Sequence, residues 1–370
     1  MLDLFRRASV CFFGDGEATL SVPIFDGALK PNNLLEDAAV FAERSGLEDL
    51  AIDSDGVLFA ACGREVVRFD ASGGATTVAC FDAPLQALAL CADGGLAVAV
   101  DGRIIFEGGA AHGKQLSSVD GRPLHGVNAI QSAPDGKLLI SDGSERRAYA
   151  EWSHDLLEHG RSGRVLEHDP ANGTTRVLAA NLQYCYGVCS DGTQVLAAES
   201  WAHQVVALNS TSRASVIDAL PGYPARISRA AGGGFWLSLF AGRTQLLEFV
   251  LRENDFRKEM MHTIAPQYWV APALQSDNDF LEPLQCGGVK QMGILKPWAP
   301  PRSYGLLIRL GADLRPRYSL HSRAGGRHHG IVCAAEYDTN LYVLSKGAGR
   351  ILRLPLAQLE ADLNVGKVAS

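Results

Sequence analysis

The chain has 370 residues, 47% hydrophobic and 20% charged, which supplies a large core and excludes a disordered polymer. Its 41 acidic and 34 basic residues leave a net charge of −7, so no global basic field exists for nucleic acid or anionic lipid. No run of about 18 apolar residues marks a membrane span. The opening MLDLFRRASVCFFGDG breaks its apolar stretch too early for a secretion signal, and the eight cysteines include no C-x-x-C pair. The expectation is a cytoplasmic protein with reduced thiols and a small organic partner, and without nucleic-acid or membrane partners.

In chain order, the first element is NNLLEDAAVFAERSG. Asn33 as N-cap, Glu36 three residues on, and Leu34, Leu35, Ala38 and Phe41 along one face predict a short helix that stops at Gly46. A phrase then recurs six times: an apolar strand, a turn with Asp-Gly or a near relative, and a second strand. The copies are GLEDLAIDSDGVLFAACG from Gly46, LQALALCADGGLAVAVDG from Leu85, GVNAIQSAPDGKLLISDG from Gly126, YGVCSDGTQVLAAES from Tyr186, YPARISRAAGGGFWLSLF from Tyr223 and HHGIVCAAEYDTNLYVLS from His328. Several carry a third strand: EVVRFD after Gly63, HQVVALN after Ala202, QLLEFVL after Thr244 and GRILRLPL after Ala348.

Units that cannot bury their own faces must stack on their neighbours. With no amphipathic helix between strands, a parallel α/β fold is excluded. The fold class is all-β, one domain over 1–370: a six-bladed β-propeller with blades at 46–84, 85–125, 126–183, 184–222, 223–252 and 304–358, the last closed with the N-terminal strands. The stretch 253–303 lacks the blade pattern. It starts helix-like with FRKEMMHTIAPQYWVAPAL and ends proline-rich in LKPWAPPRSYG, and reads as a small helical and irregular lid between blades five and six.

Glu48, Gln86 and Asn128 each stand seven residues before the Asp of their turn. A fixed offset lines residues up around a common axis, where function is to be sought.

SGLEDLAIDSDGVLFAACG, SGRVLEHDPANGTTRVLAANLQYCYGVCSDGTQVLAAES and ALPGYPARISRAAGGGFWLSL resemble the strictosidine synthase-like branch of six-bladed propellers, whose superfamily also holds gluconolactonases and paraoxonases. The resemblance implies this fold from about Gly46 to Leu356. Hydrolytic members hold calcium or a similar ion in the channel through Glu, Asn and Asp side chains, and calcium takes about six to eight oxygens. On that pattern Glu48 matches the glutamate and Asn128 the blade-three asparagine. Where such relatives read F-P-N-G-V, this chain has YCYGV, with Tyr186 or Tyr184 at the asparagine. Where they read P-D-N-I, it has Pro224, Ala225, Arg226, Ile227, and a guanidinium repels a metal. No cofactor is therefore expected, with weak calcium or divalent-ion binding at Glu48 and Asn128 the alternative. The strictosidine synthase branch works without an ion.

Two readings of Glu48 stand open: a general acid or base in a partly dry channel, or the partner of Arg226 in a structural ion pair. His329, beside His328 in GRHHGIV, stands near the place of the branch's catalytic glutamate and offers a second proton carrier, or else a blade-end histidine bonded to backbone. Gln86, His125, Asn128, Tyr184, Tyr186, Arg226 and His328 are substrate-binding candidates, and Trp201, Phe240, Tyr268 and Trp269 could join the tyrosines in an aromatic pocket. The resemblance implies a small-molecule enzyme, either a lactone or ester hydrolase or a metal-independent lyase or condensing enzyme. The alternative is a non-catalytic propeller that binds a metabolite.

Overall fold

The computed structural model describes residues 22–209, 212–276, 279, 281–283, 302–359 and 361. They form six four-stranded antiparallel sheets in a ring. Blade one is β2–β5 (Leu47–Ile52, Leu58–Cys62, Glu65–Phe69, Ala75–Cys80) and blade two is β6–β9 (Leu85–Leu90, Leu96–Val100, Arg103–Glu107, Gln115–Leu116). After a short hairpin, β10 and β11 (Ser118–Val119, Arg122–Pro123), blade three is β12–β15 (Val127–Ser132, Leu138–Asp142, Gly163–His168, Thr175–Leu182). Blade four is β16–β19 (Cys185–Ser190, Val195–Glu199, Gln204–Leu208, Arg213–Ile217).

Blade five is β20–β23 (Gly222–Arg229, Phe235–Gly242, Gly305–Leu310, Pro316–Ser322). Blade six joins β24–β26 (Ile331–Tyr337, Asn340–Ser345, Arg350–Pro355) to the N-terminal β1 (Ala39–Glu43) as its outer strand. Closing the ring with the first strand leaves no free interface between blades one and six, the usual solution to an exposed edge. The turns follow from the sequence: Asp53 accepts the amides of Asp55 and Val57 while Gly56 supplies a φ of 82°.

Two expected elements differ. The segment after Asn33 forms turns and then β1, not a helix. Asn32 accepts the amides of Leu34 and His321 and donates to the Ser319 carbonyl, and β1 pairs with β26, so tertiary pairing overrides local propensity. QLLEFVL is not a third strand but helix α2 (Gln245–Arg252). Thr244 caps it by accepting the Leu247 amide, and buried Leu247 and Val250 lie three apart on one face.

The insertion therefore falls inside blade five, between β21 and β22, rather than between blades five and six. The third and fourth strands of blade five are the segments from Gly305 that the repeat spacing assigns to blade six. After α2 come α3 (Asn254–Thr263) and a 3₁₀ turn at Pro266–Tyr268. Leu157, from helix α1 (Trp152–Leu157) in the β13–β14 loop, packs with Val250, Met260, Trp269 and Ala271. These two insertions form a cap at the end of the ring where the inner strands begin. No helix among the described residues is long and apolar enough to cross a membrane. The expected stretch LKPWAPP lies outside the described residues.

Candidate active site

Five of the six inner strands bulge by one residue at their start, and in blade five the slip between Pro224 and Ile227 skips Ala225 and Arg226. The ladder slips between Leu47 and Asp49, Leu85 and Ala87, Val127 and Ala129, Cys185 and Gly187, and Ile331 and Cys333. The skipped residues are Glu48, Gln86, Asn128, Tyr186 and Val332. A bulge re-aims a side chain, so the seven-residue offset of the sequence is the signature of this repeated device. It also places Tyr186, not Tyr184, in register with the blade-three asparagine.

Glu48 Oε2 accepts the Tyr149 hydroxyl at 2.8 Å and lies 2.6 Å from Lys346 Nζ. Lys346 also donates to the Tyr149 oxygen at 3.1 Å and sits 4.8 Å from the centre of that ring. Burial, and after it the Glu48 charge, push the Tyr149 phenol well up, so it remains a proton donor at neutral pH. Beside this triad is an aromatic pocket of Trp152, Tyr184, Tyr186, Trp201 and Phe240, roofed by Leu274 of the cap. Tyr184 stacks on Trp201 with centroids 4.4 Å apart, and the Trp201 indole donates to Asp155 of α1 at 2.8 Å. The cavity is about 10 Å³, close to the room one water needs.

Beneath lies a charged plug. Arg226 donates to the carbonyls of Glu48 (3.0 Å) and Gln86 (2.8 Å) and pairs with Asp49 at 3.3 Å. It thus ties blade five to blades one and two across the axis. Asp49 also accepts the amides of Leu50 and Leu88. Burial alone would lower the Arg226 pKa, but Asp49 and then Tyr186 and Tyr149 outweigh it and the guanidinium stays charged.

The strictosidine synthase family model matches residues 128–208, from the bulged Asn128 through the third strand of blade four. This stretch is therefore similar to the strictosidine synthase family, and the ring as a whole shares the six-bladed β-propeller fold. The adipocyte plasma membrane-associated protein of Salmo salar is 29% identical over 177 residues, 42% of this chain and 42% of that protein. Protein strictosidine synthase-like 6 of Arabidopsis thaliana is 28% identical over 159 residues, again 42% of each. The chain thus matches less than half the length of these curated relatives. A gluconolactonase structure from Xanthomonas campestris superposes with a TM-score of 0.54 at 13% identity, over 85% of this chain and 88% of that one. The calcium-binding protein regucalcin of Agrobacterium tumefaciens gives 0.52 at 14%, over 86% and 92%; at such identities the likeness is one of fold.

A divalent ion of the kind the sequence resemblance implies does not fit the residues of this channel. Asn128 donates to the Cys185 carbonyl and accepts the Tyr184 hydroxyl, Glu48 is met by an ammonium and a phenol, and Arg226 covers two carbonyls of the axis. Gln86 Oε1 is the buried axial side-chain oxygen left without a hydrogen-bond partner, and one neutral amide oxygen does not hold a divalent ion. Among the described residues no group of three or more His, Cys, Asp or Glu is arranged for a metal.

Of the expected site residues, Glu48, Asn128, Tyr184 and Tyr186 are brought together, and Gln86 and Arg226 lie in the layer below. Arg226 pairs with Asp49 and touches Glu48 only at its carbonyl, because its side chain runs under the bulge and not over it. The histidines lie elsewhere. His329 puts Nδ1 against Ser303 Oγ (2.7 Å) and Nε2 against the Arg323 carbonyl (3.0 Å). Ser303 also bonds Ser276 (2.7 Å), so this histidine moors the returning end of the insertion, and through Ser303 its Ser276, beside the start of blade six. His328 is buried, its pKa lowered by burial, with Glu36 as its largest opposing charge. His125 uses its backbone amide on Asp142 at 3.4 Å. Of the other aromatics, Trp201 and Phe240 line the pocket, Trp269 packs within the cap, and half-buried Tyr268 bonds Asp279.

Asp49, Tyr149 and Lys346 escape the sequence reading. Lys346 was findable: the residue after the second strand is Gly63, Asp101, Gly143, Ser200, Arg243 and Lys346 in the six blades, and the last follows the closing hairpin beside Glu48. Tyr149 carries no such signal, since it stands in a long loop.

Proposed function

We propose that this chain acts on a small organic molecule at the capped end of the channel by metal-independent acid–base chemistry, with Glu48 as the proton-transferring group. The observation that carries this reading is the Glu48 carboxylate held between Tyr149 and Lys346 at the edge of an aromatic pocket. A carboxylate that shares one oxygen with a phenol and an ammonium can take a proton from a bound substrate and return it. The reaction class that fits is a lyase or condensation step on a carbonyl-derived substrate, in which a proton moves while the apolar part of the molecule rests on the rings. Hydrolysis of a lactone or ester by an ion-bound water is the less supported chemistry, because Glu48 and Asn128 are already met by donors and the Gln86 amide oxygen alone does not hold an ion.

The test is turnover on a panel of lactones, esters and amine–aldehyde pairs, in chelator, with melting temperature measured alongside. Glu48→Gln keeps the shape and removes the base, so the rate falls by about 100-fold or more, and chelator changes nothing. Unimpaired turnover per folded Glu48→Gln molecule, or loss of activity in chelator, refutes the reading.

A further inference from the structure

We infer that Lys346 supplies, as a fixed ammonium, the positive charge that ion-holding propellers of this fold place in the channel, and that this ammonium meets the oxygen of the substrate on which negative charge collects. The inference rests on the reading of the channel mouth as the site of chemistry. Side chains from separate blades converge on the ammonium, as ligands converge on an ion: Glu48 from blade one at 2.6 Å and Tyr149 from the blade-three loop at 3.1 Å, with the Tyr149 ring 4.8 Å away. The phenol oxygen accepts from the ammonium, and Glu48 neutralises it.

The loop that presents Lys346 is fixed. Ser345 Oγ donates to the His329 carbonyl at 2.6 Å and the Lys346 amide to the Gly330 carbonyl at 3.0 Å. The Leu274 carbonyl of the cap presses on the next residue so closely that a Cβ at Gly347 would lie 2.0 Å from it. The cap therefore sits directly on the backbone that carries the charge, next to the pocket that Leu274 roofs.

An ammonium has three donors, and Glu48 and Tyr149 engage two. The third suits a carbonyl, carboxylate or enolate oxygen of the substrate. A cation at a site shielded from water stabilises such an oxygen most in the transition state, where its charge is largest. The ligand class is accordingly a molecule that joins an oxygen of this kind to a flat or apolar body for the rings.

The experiment is thermal unfolding of the full chain without substrate, in calcium chloride and in chelator, for the wild type, Lys346→Met, Lys346→Asp and the double variant Glu48→Gln/Lys346→Met. The expected results are a wild-type melting temperature indifferent to both additions and a fall of about 3 °C or more in Lys346→Met. The double variant recovers part of that fall, because Glu48 no longer lacks a counter-charge. Lys346→Asp replaces the ammonium by a second carboxylate and gains a calcium-dependent rise that chelator reverses. A wild type stabilised by calcium, a Lys346→Met protein as stable as the wild type, or a Lys346→Asp protein deaf to calcium each overturns the inference. These readings use no substrate, so they stand or fall separately from the rate of Glu48→Gln.

Discussion

Glu248, on α2, fastens the cap to the propeller, and its strength follows from its surroundings. Its Oε1 accepts Arg243 Nε at 3.0 Å and lies 3.4 Å from His203 Nε2. The other nitrogen of His203 faces the Gly222 carbonyl at 3.2 Å. Burial alone would raise the carboxyl, but hydrogen bonds from His203 and Arg243 prevail and hold it at about 2 against an ordinary 4.5; burial lowers the His203 pKa, so Arg243 is the cation that holds the pair at neutral pH. At about 1.4 kcal/mol per pKa unit that difference is worth about 3 kcal/mol. The folded-state pKa is depressed, so this stability is complete above about pH 4.5 and is lost as the pH falls towards 2.

Glu248→Gln should therefore lower the melting temperature at pH 7 by about 6 °C, taking roughly 2 °C per kcal/mol for a large domain. The gap between variant and wild type should shrink as the pH is taken to 4 and then 3. Because the cap can open without unfolding the blades, amide exchange in α2 and α3 should accelerate more than in any inner strand. A gap that stays the same from pH 7 to 3, or exchange that quickens uniformly, refutes the reasoning.

Arg226→Met leaves Asp49, 2% exposed, without its counter-ion, which costs about 3–5 kcal/mol; chemical denaturation should show it, and adding Asp49→Asn should recover part. A loss below about 1 kcal/mol would mean that the pair does not hold the axis. Gly187→Ala brings a Cβ to 2.4 Å from the Ala225 carbonyl and 2.8 Å from Arg226 Cα, backbone that cannot step aside between blades four and five. It should abolish soluble expression or lower the melting temperature by about 6 °C or more, and a variant as stable as the wild type would contradict the close approach.

The ring was legible because its cause repeats: Asp-Gly turns and a bulge at one offset make Glu48, Gln86 and Asn128 visible as a set without coordinates. The insertion was misplaced by one half-blade because QLLEFVL satisfies both a strand and a helix over so few residues. Only Thr244, as a cap, and the spacing of Leu247 and Val250 separate the two. His329 stayed open between two readings because a histidine at a blade end has the same sequence signature whether it faces the channel or moors a loop. Its partners, Ser303 and the Arg323 carbonyl, are set by how the insertion returns to the ring. Asn128 is half legible: its position follows from the offset, but its capture by Tyr184 depends on Gly143. There a Cβ would lie 2.2 Å from the Asn128 amide nitrogen and 3.1 Å from the Tyr184 ring.

The two ends of the channel then have different chemistry for one reason. Arg226 crosses the axis and bonds to backbone of blades one and two, so the end beyond it, a vestibule of about 500 Å³ floored by Asp49 and Arg226, is cut off from Glu48. A ligand must reach Glu48 from the cap side, where the cavity of about 10 Å³ admits nothing larger than water. Access thus requires Leu274 to lift from Gly347 and from the ring faces. The free energy of that opening is subtracted from the affinity of any ligand, since only the open fraction binds. Glu248 contributes to that opening cost through α2. Weakening it should raise the open fraction and tighten apparent binding even as it lowers the stability of the protein, whereas a change at Arg226 lowers stability with no such gain.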